Sequence, residues 1–466
     1  MLIRNARLLD GRAVDVHIVG DHVVAISPHD LASTKGVAVL EAGGGLLLPG
    51  LHDHHVHVAA SAAALASVRC GPQEAVDAAG LANLLSGVTG TGWIRGIGYH
   101  ESVAGEIDRA WIDAVVADRP VRIQHRSGRM WIFNSLGLEH LCAATDGACP
   151  AALDRRSGRL FDEDSWLRSA LGSGPPDFRA TAERWARWGV TGLTDMNPQN
   201  DRAAADHFTS QQAGGSLPQS VVLAGLPELA PVSSSARLAI GPVKVHLHEW
   251  HLPDYATVVD LIRAAHAQGR NIAVHCVTET ECAFALAAIT DAGKLPGDRI
   301  EHASVAPDAL VTEIARLDLA VVVQPNFVSE RGDGYLSAMP QEDWPHLYRL
   351  RAFREAGVIM AGGTDAPFGD ANPWAAMAAA ISRRTAGGRS LGPQEALSPE
   401  EALDLFLADP HDLSRVRHIA TGAVADLCLL AQDWAALRED MGSAEVRATL
   451  IGGQLVHLAD AASVQG

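Results

Sequence analysis

The stretch LLLPGLHDHHVHV, residues 46–58, joins an apolar run and a Pro-Gly break to a burst of histidines. In a β-strand, residues two apart face the same side, so His55 and His57 can point together into a protein interior. His52 and His54 form an interleaved pair of opposite parity, and the spacing alone does not decide between the two pairs. Catalytic groups on parallel barrel strands gather at the carboxyl ends, which favours the later pair as metal ligands.

Beyond this stretch, the chain alternates short β-branched runs with longer Ala/Leu/Arg-rich runs, which predicts parallel strands covered by helices. The clearest predicted strands are 190–194, 221–224, 243–247, 272–275, 299–302, 320–324 and 358–362. We therefore predict an α/β fold, a (β/α)8 TIM-like barrel over residues 49–411. This is longer than the roughly 250 residues of a typical barrel, so we expect an insertion around residues 70–180.

The two ends of the chain have a sequence pattern that differs from that of the middle segment. Short apolar or alternating runs beside Gly or Asp fill the first 45 residues, and they return near the end in ADLCLL, VRATLIGG and QLVHLA. This pattern is typical of short strands joined by turns. We predict that residues 1–48 and 412–466 form one small β-sandwich domain together.

Composition excludes several classes of protein. The chain has a hydrophobic fraction of 47% and no uninterrupted apolar stretch near the roughly 18 residues of a membrane span, so we expect no membrane partner. A formal charge of -18 without a Lys/Arg-rich run argues against nucleic acid. The first residues lack the apolar core of a secretory signal, and the six cysteines form no CxxC pair. We expect a cytoplasmic homo-oligomer that acts on a small molecule.

Other residues of ligand type lie at the ends of predicted strands. His275 ends NIAVH, His302 ends RIEH, and Asp365 follows VIMAGGT. Each alone has an ordinary interpretation, a hydrogen-bonded core histidine or a helix cap, but several at matching strand ends favour a metal site. Lys244 stands inside the apolar strand GPVKVHL, where a lysine is almost never fully buried unless it is paired.

The motifs PGLHDHHVH, VKVHL, AVH, RIEHAS and GGTDAPFG occur in the order and spacing of the amidohydrolase superfamily, which the chain resembles. GWIRGIGY, RMWIFNS and TDAPFGDANP are similar to motifs of its amidohydrolase-3 branch, which contains N-substituted formamide deformylases. The resemblance implies six metal ligands, which are His55, His57, Lys244, His275, His302 and Asp365.

The resemblance also implies a chemistry. Carbon dioxide would carboxylate Lys244, and the resulting anion would bridge two divalent metal ions, for which the ligand types suit zinc, cobalt or manganese. The metals would activate water and polarise a carbonyl, while Asp365 would carry the proton to the leaving group. Ten tryptophans against four tyrosines favour a neutral, partly apolar substrate. We expect hydrolysis of a carbonyl–nitrogen or related bond in a small amide, carbamate or thiocarbamate.

Two departures from the family leave alternatives open. The branch usually has a histidine where this chain has Arg129, shortly before Trp131. Deaminase barrels carry a proton-shuttling glutamate in an HxxE element, whereas here Glu279 lies one residue further from His275. The rival interpretations are a mononuclear-metal deaminase or cyclic-amide hydrolase, and a catalytically idle barrel that serves as a binding subunit. The predicted substrate contacts are Arg129, Trp131, Arg187, Trp250 and Phe327.

Overall fold

The computed structural model describes residues 1–29, 38–72, 74–172, 174–229, 237–459 and 464–465. The chain forms two compact units. The first unit contains residues 1–58 and 177–466, and the second unit contains residues 59–176. Within the described ranges, no helix combines the length and the apolar character that crossing a bilayer requires.

The strands and helices are named in chain order. The strands are β1 (Leu2–Arg7), β2 (Ala13–Val19), β3 (His22–Pro28), β4 (Val39–Glu41), β5 (Leu47–Pro49), β6 (Leu51–Val56), β7 (Val68–Arg69), β8 (Ile94–Tyr99), β9 (Val121–His125), β10 (Met130–Phe133), β11 (Leu153–Asp154), β12 (Arg159–Phe161), β13 (Val190–Asp195), β14 (Ser220–Gly225), β15 (Leu238–His246), β16 (Ile272–Cys276), β17 (Arg299–His302), β18 (Ala320–Val323), β19 (Met360–Gly362), β20 (Ala408–Asp409), β21 (Asp412–Val416), β22 (Leu427–Leu430), β23 (Val446–Ile451), β24 (Gln454–Leu458) and β25 (Val464–Gln465). The helices are α1 (Val58–Leu65), α2 (Ala78–Ser86), α3 (Glu101–Ala104), α4 (Arg109–Val115), α5 (Ser135–Ala144), α6 (Asp164–Leu171), α7 (Arg179–Arg187), α8 (Arg202–Ala213), α9 (Tyr255–Ala267), α10 (Glu279–Ala292), α11 (Asp308–Arg316), α12 (Asn326–Ala338), α13 (Leu350–Glu355), α14 (Pro373–Ser382), α15 (Pro399–Leu407) and α16 (Trp434–Leu437). Short 3-10 helices cover Glu249–His251, Gln341–His346, Pro393–Glu395 and Met441–Ser443.

Eight parallel strands of the first unit form one sheet in the order β6, β13, β14, β15, β16, β17, β18 and β19. Every residue of β6, β13 and β18 is buried, as expected for strands covered on both faces. Helices follow the strands closely. After β16, for example, the side chain of Thr278 and that of Glu281 form a reciprocal capping box that begins α10. These features confirm the predicted TIM-like barrel.

The first and last barrel strands meet at a seam beyond β19. The N–H of Asp365 donates to the carbonyl of His55 at 2.8 Å, and the N–H of His57 donates to the carbonyl of Ala366 at 2.8 Å. A side chain on Gly363 would not fit, because a Cβ there would lie 2.5 Å from the Cβ of His55. Glycine therefore allows the close approach that brings Asp365 beside the first strand.

Strands from both chain ends combine in two further sheets of the first unit. One has the order β25-β4-β1-β2-β3, and the other has the order β24-β23-β22-β5. Their buried side chains share one hydrophobic cluster, in which Ile3 and Val16 accompany Leu427 and Leu450. The pairing of the chain ends matches expectation, while a sandwich domain bounded at residues 1–48 and 412–466 stays a prediction.

The second unit is built on a mixed sheet with the order β11-β12-β10-β9-β8-β7. The pairs β7–β8 and β8–β9 are parallel. The pairs β9–β10, β10–β12 and β12–β11 are antiparallel. Separate apolar clusters within the unit are centred on residues such as Ile123 and Phe133. The unit therefore has its own core.

Candidate metal centre

The carboxyl ends of the barrel strands place the predicted ligands. His55 lies near the end of β6, His275 near the end of β16 and His302 at the end of β17, while Asp365 follows β19 by three residues. His302 and Asp365 have φ angles of 74° and 56°, in the left-handed region that non-glycine residues seldom adopt. Such strain is often found where a site fixes side-chain direction, and here both residues project ligand atoms.

Three of these side chains form a compact cluster. Ligand atoms of His55, His302 and Asp365 all lie within 4.8 Å of one another, and the three residues are buried. Asp365 Oδ1 lies 3.5 Å from Nε2 of His55 and 3.2 Å from Nε2 of His57. The ring centroid of His275 lies 4.5 Å from that of His302. The imidazoles of His55, His57 and His302 therefore lie close to the Asp365 carboxylate, and His275 lies beside His302.

The tautomer of His55 follows from its partner. Its Nδ1 lies 2.6 Å from Oε2 of Glu301, whose Oε1 accepts a hydrogen bond from Nε of Arg299 at 2.6 Å. A carboxylate paired with a guanidinium only accepts hydrogen bonds, so Nδ1 of His55 carries the proton. Its Nε2 therefore presents a lone pair toward Asp365.

The same reasoning assigns the tautomer of His302. Nε2 of Gln324 donates to the carbonyl of Val322 at 3.2 Å, which leaves the amide oxygen to face Nδ1 of His302 at 2.7 Å. Nδ1 must then be the donor, and Nε2 of His302 is a free acceptor. This atom is buried and makes no hydrogen bond in the described structure.

With these tautomers, the lone pairs of the imidazole Nε2 atoms and of the Asp365 carboxylate converge with no proton between them. Asp365 Oδ1 is likewise buried without a hydrogen bond, although two imidazole Nε2 atoms are close to it. Buried acceptors that converge in this way are normally reconciled by a cation, and two imidazoles with a carboxylate are a usual donor set for a divalent transition metal. The residues present therefore fit a metal ion.

The charge states agree with a ligand role. Burial, followed by the charge of Lys244, holds the pKa of His55 well below its usual range, and burial with the neighbouring His302 does the same to His275. Burial alone would favour a neutral Asp365, but the nearby imidazoles of His55 and His57 outweigh it and lower the pKa of Asp365. Neutral imidazoles and an ionised carboxylate are the forms that bind metals.

The charge of Lys244 acts on the same cluster, because it contributes to the lowered pKa of His55. It is 6% exposed, and its Nζ makes no hydrogen bond within the described residues. Burial lowers the pKa of Lys244 to about 8, against the opposing attraction of Glu301. Burying a charged amine without a partner is costly, and the lowered pKa reduces this cost because it favours the neutral form.

A line of aromatic rings leads from the cluster to the surface. The ring of His246 lies 4.3 Å from that of His275 and 4.3 Å from that of His248, which stacks on Trp250 at 4.7 Å. Trp250 is 77% exposed. Phe327, by contrast, is buried, with the guanidinium of Arg331 3.8 Å above its ring. Of these two predicted substrate contacts, Trp250 has the more accessible surface.

The remaining predicted substrate contacts are Arg129, Trp131 and Arg187. Arg129 and Trp131 belong to the second unit, where Arg129 pairs with Asp162 at 2.6 Å and Trp131 donates to Asp164 at 2.8 Å. Arg187 is exposed at the end of α7, just before the amino end of β13. It therefore lies at the amino end of that strand, whereas the predicted metal ligands lie at carboxyl ends, so the structure does not bring Arg187 to the cluster.

The alternative histidine pair does not join the cluster. Nε2 of His52 contacts Oγ1 of Thr194 at 2.9 Å, and both ring nitrogens of His54 are buried without a hydrogen bond in the described structure. The ladder between β6 and β13 shifts register between Asp53 and Val56, so strict alternation does not hold there. This irregularity explains why spacing alone could not choose between the pairs.

Sequence reasoning missed the residues behind the ligands. Arg299, Glu301 and Gln324 are all buried, and they orient His55 or His302. The available signal was a pair of charged residues two apart in the short strand RIEH, since buried charges are rare unless they are paired.

Comparisons with known proteins agree with this geometry. The amidohydrolase family matches residues 38–457. The N-substituted formamide deformylase of Arthrobacter pascens is 23% identical over 510 aligned positions, which cover 92% of each chain. The amidohydrolase-family protein YtcJ of Bacillus subtilis (strain 168) is 28% identical over 215 residues, and this match spans only 40% of YtcJ and 44% of the present chain. The crystal structure of an uncharacterized metal-dependent hydrolase from Pyrococcus horikoshii OT3 superposes with a TM-score of 0.78 at 19% identity, covering 95% of this chain and 99% of that one.

A parallel barrel with a buried metal-ligand cluster at the carboxyl ends of its strands, matched over most of its length by hydrolases, defines a metal-dependent hydrolase. The chain belongs to the amidohydrolase family.

Proposed function

We propose that this chain hydrolyses a carbonyl–nitrogen or related bond in a small, neutral, partly apolar amide, carbamate or thiocarbamate. The observation that carries the proposal is the convergence of Nε2 of His55, Nε2 of His302 and the carboxylate of Asp365 in one buried cluster. A small-molecule substrate and a homo-oligomeric assembly are part of the same proposal. A further resemblance, to molinate hydrolase, would make the substrate a thiocarbamate, but neither named relative supports that specificity.

The proposed cofactor is a pair of divalent ions, zinc, cobalt or manganese. The residues that would hold them are His55, His57, Lys244, His275, His302 and Asp365. When bound, such ions make a hydroxide nucleophile available near neutral pH and polarise the carbonyl that is attacked.

Lys244 would enter this set only after modification. Its lowered pKa gives a larger neutral fraction, and the neutral amine can attack the carbon of carbon dioxide. A C–N bond forms, one C=O π bond of carbon dioxide opens and the nitrogen loses one proton, so that a carbamate anion replaces the neutral amine. The modification would thus remove the unpaired buried amine.

Asp365 is the proposed catalytic residue. Its lowered pKa keeps it ionised as a proton acceptor, and its Oδ1 lies among the ligand nitrogens, where water would be activated. It would take the proton of the attacking water and deliver it to the leaving nitrogen, or to the leaving sulfur of a thiocarbamate. Trp250, stacked on His248, would offer an apolar surface to the substrate, and Phe327, Arg129 and Trp131 remain proposed contacts.

The deaminase alternative lacks its acid. Glu279 is exposed in the first turn of α10, and the buried Glu281 is engaged by the N–H groups of Glu249, Val277 and Thr278. Glu281 is therefore occupied by backbone donors, and neither glutamate belongs to the buried ligand cluster. The idle-barrel alternative is disfavoured because no ligand type is missing.

The test combines metal counting with a substrate screen. Purified protein is stripped, reloaded and analysed for metal per chain, and then assayed on a panel of amides, carbamates and thiocarbamates. We expect two equivalents of metal and turnover on at least one class. One equivalent with full activity would contradict the binuclear site, and no turnover on any class would contradict the proposed reaction.

Lys244→Ala separates the proposed modification from a core role. We expect it to lose metal and activity together, and a small added carboxylic acid to restore part of both. Lys244→Arg should not be rescued, because its guanidinium stays charged and fills the space. Lys294→Ala is the matched control, since Lys294 is exposed and pairs with Asp318 at 3.1 Å. Normal metal content and turnover in Lys244→Ala would show that Lys244 is not a ligand.

A further inference from the structure

Two arginines stand side by side on the sheet of the second unit. Arg95 on β8 and Arg122 on β9 are direct partners in the parallel ladder, and both are partly buried. Among the described residues, neither is within ion-pair distance of a carboxylate, whereas Arg69, Arg129 and Arg159 of the same unit each pair with an acid. The two neighbouring cations therefore have no carboxylate in direct ion-pair contact within the described residues.

A shortage of acids does not explain this. The chain has 55 acidic residues against 37 lysines and arginines. Asp164, whose charge raises the pKa of Arg95 against the larger effect of burial, accepts a hydrogen bond from Nε1 of Trp131 at 2.8 Å. Burial and the neighbouring charge of Arg95 lower the pKa of Arg122 to about 10, so the pair is held together against its own repulsion.

The surrounding residues do not supply hydrogen-bond acceptors for all the N–H groups of the two guanidinium groups. Nη1 of Arg95 donates to the carbonyl of Ala63 and to Oγ of Ser67, both at 2.8 Å. Nε of Arg122 is buried and makes no hydrogen bond in the described structure. Arg95 is therefore fixed in place, while Arg122 keeps its donors free.

Two indole rings flank the pair. The guanidinium carbon of Arg122 lies 5.8 Å from the ring centroid of Trp93 and 5.4 Å from that of Trp131, and that of Arg95 lies 5.5 Å from Trp131. Cation–π contacts at this range offset part of the cost of desolvation. They leave the in-plane N–H donors available, and those donors are what recognise an oxyanion.

We propose that Arg95 and Arg122 form a binding site for a small oxyanion, with Trp93 and Trp131 as its apolar walls. Paired guanidinium groups match the two oxygens of a carboxylate or the several oxygens of a phosphate. The indole walls favour an anion that carries an apolar body, so an aromatic carboxylate binds more tightly than acetate or inorganic phosphate. The site shares Trp131 with the proposed substrate contacts, but anion binding there does not depend on the hydrolytic reaction.

The experiment titrates the full-length protein with sodium benzoate, acetate and phosphate by calorimetry at constant ionic strength. We expect saturable binding, tightest for benzoate. Arg122→Gln and Arg95→Gln should each weaken it at least about tenfold, as expected for lost hydrogen bonds to a charged group. Arg122→Lys should bind with intermediate strength, because it keeps the charge but loses the planar fork. Arg155→Gln, which removes an exposed arginine of the same unit, is the matched control and should bind normally.

Thermal denaturation distinguishes a binding role from a structural one. Because the arginines repel each other, Arg122→Gln should not lower Tm. If Arg122 instead stabilised the fold, the same substitution would lower Tm. Benzoate should raise the Tm of the unmodified chain in proportion to the logarithm of its concentration, and should not raise that of Arg122→Gln. Absence of saturable binding to the unmodified chain would overturn the proposal whether or not the variants fold. An equal loss of binding in Arg155→Gln would also overturn it, since the effect would then be general charge attraction.

Discussion

Replacing Glu301 with glutamine removes one oxygen acceptor from the contacts behind His55. The carboxylate accepts from Nδ1 of His55 and from Nε of Arg299, at 2.6 Å each. A glutamine amide has only one oxygen. If that oxygen faces His55, the amide N–H groups oppose the donors of Arg299. If it faces Arg299, the amide donates to Nδ1 and moves the imidazole proton to Nε2, the atom assigned to the metal.

Either arrangement weakens metal binding. Partners that orient metal-binding histidines typically contribute 10- to 100-fold in affinity, which corresponds to about 1.4–2.8 kcal/mol. We expect Glu301→Gln to fall in this range. The upper part is favoured because Glu301 is fully buried, and the substitution leaves Arg299 without its counter-charge.

The assay is a competition titration of metal-free protein against a chromogenic chelator, with folding followed by circular dichroism. Glu313→Gln is the control, because it makes the same change at a residue paired with Arg316 outside the cluster. A folded Glu301→Gln protein with unchanged metal affinity would refute the tautomer assignment and the orienting role of Glu301.

Three other substitutions probe the site. Gly363→Ala should lower both Tm and metal affinity, because its Cβ would lie 2.5 Å from the Cβ of His55 and force the seam apart; unchanged values of both would contradict the close approach. His54→Asn should retain the metal content of the unmodified chain by elemental analysis, since the ring of His54 is outside the ligand cluster, and loss of metal from a folded variant would revive the alternative pair. Arg129→His should change relative rates across a substrate panel while metal content stays constant, and identical rate ratios would remove Arg129 from the proposed contacts.

The barrel could be predicted from sequence because its strands are buried on both faces and read as short β-branched runs. Strand β17 has the predicted bounds, while β15 begins earlier, at Leu238, because Gly241 and Pro242 interrupt its sequence and indicate a turn before residue 243. The positions of the ligand types at strand ends were also visible, although choosing His55 over His54 required the register shift in β6.

The contacts behind the ligands could not be predicted from sequence. Glu301 and His55 are separated by 246 positions, and their pairing depends on how two strands face each other across the barrel. Gln324 orients His302 through a side-chain amide whose direction is set by its own bond to the Val322 carbonyl. Such contacts follow from three-dimensional packing and leave no periodic pattern in the chain.

The seam has a consequence for how the protein is made. The carboxylate of Asp53 accepts a hydrogen bond from Oγ1 of Thr364 at 2.6 Å, across 311 positions of chain, directly beside the metal residues. A growing polypeptide on the ribosome therefore exposes the first histidines long before the residues that complete their surroundings have been synthesised. The proposed metal centre thus needs residues from both ends of the barrel sequence, and a nascent chain that stops before Thr364 lacks Asp365.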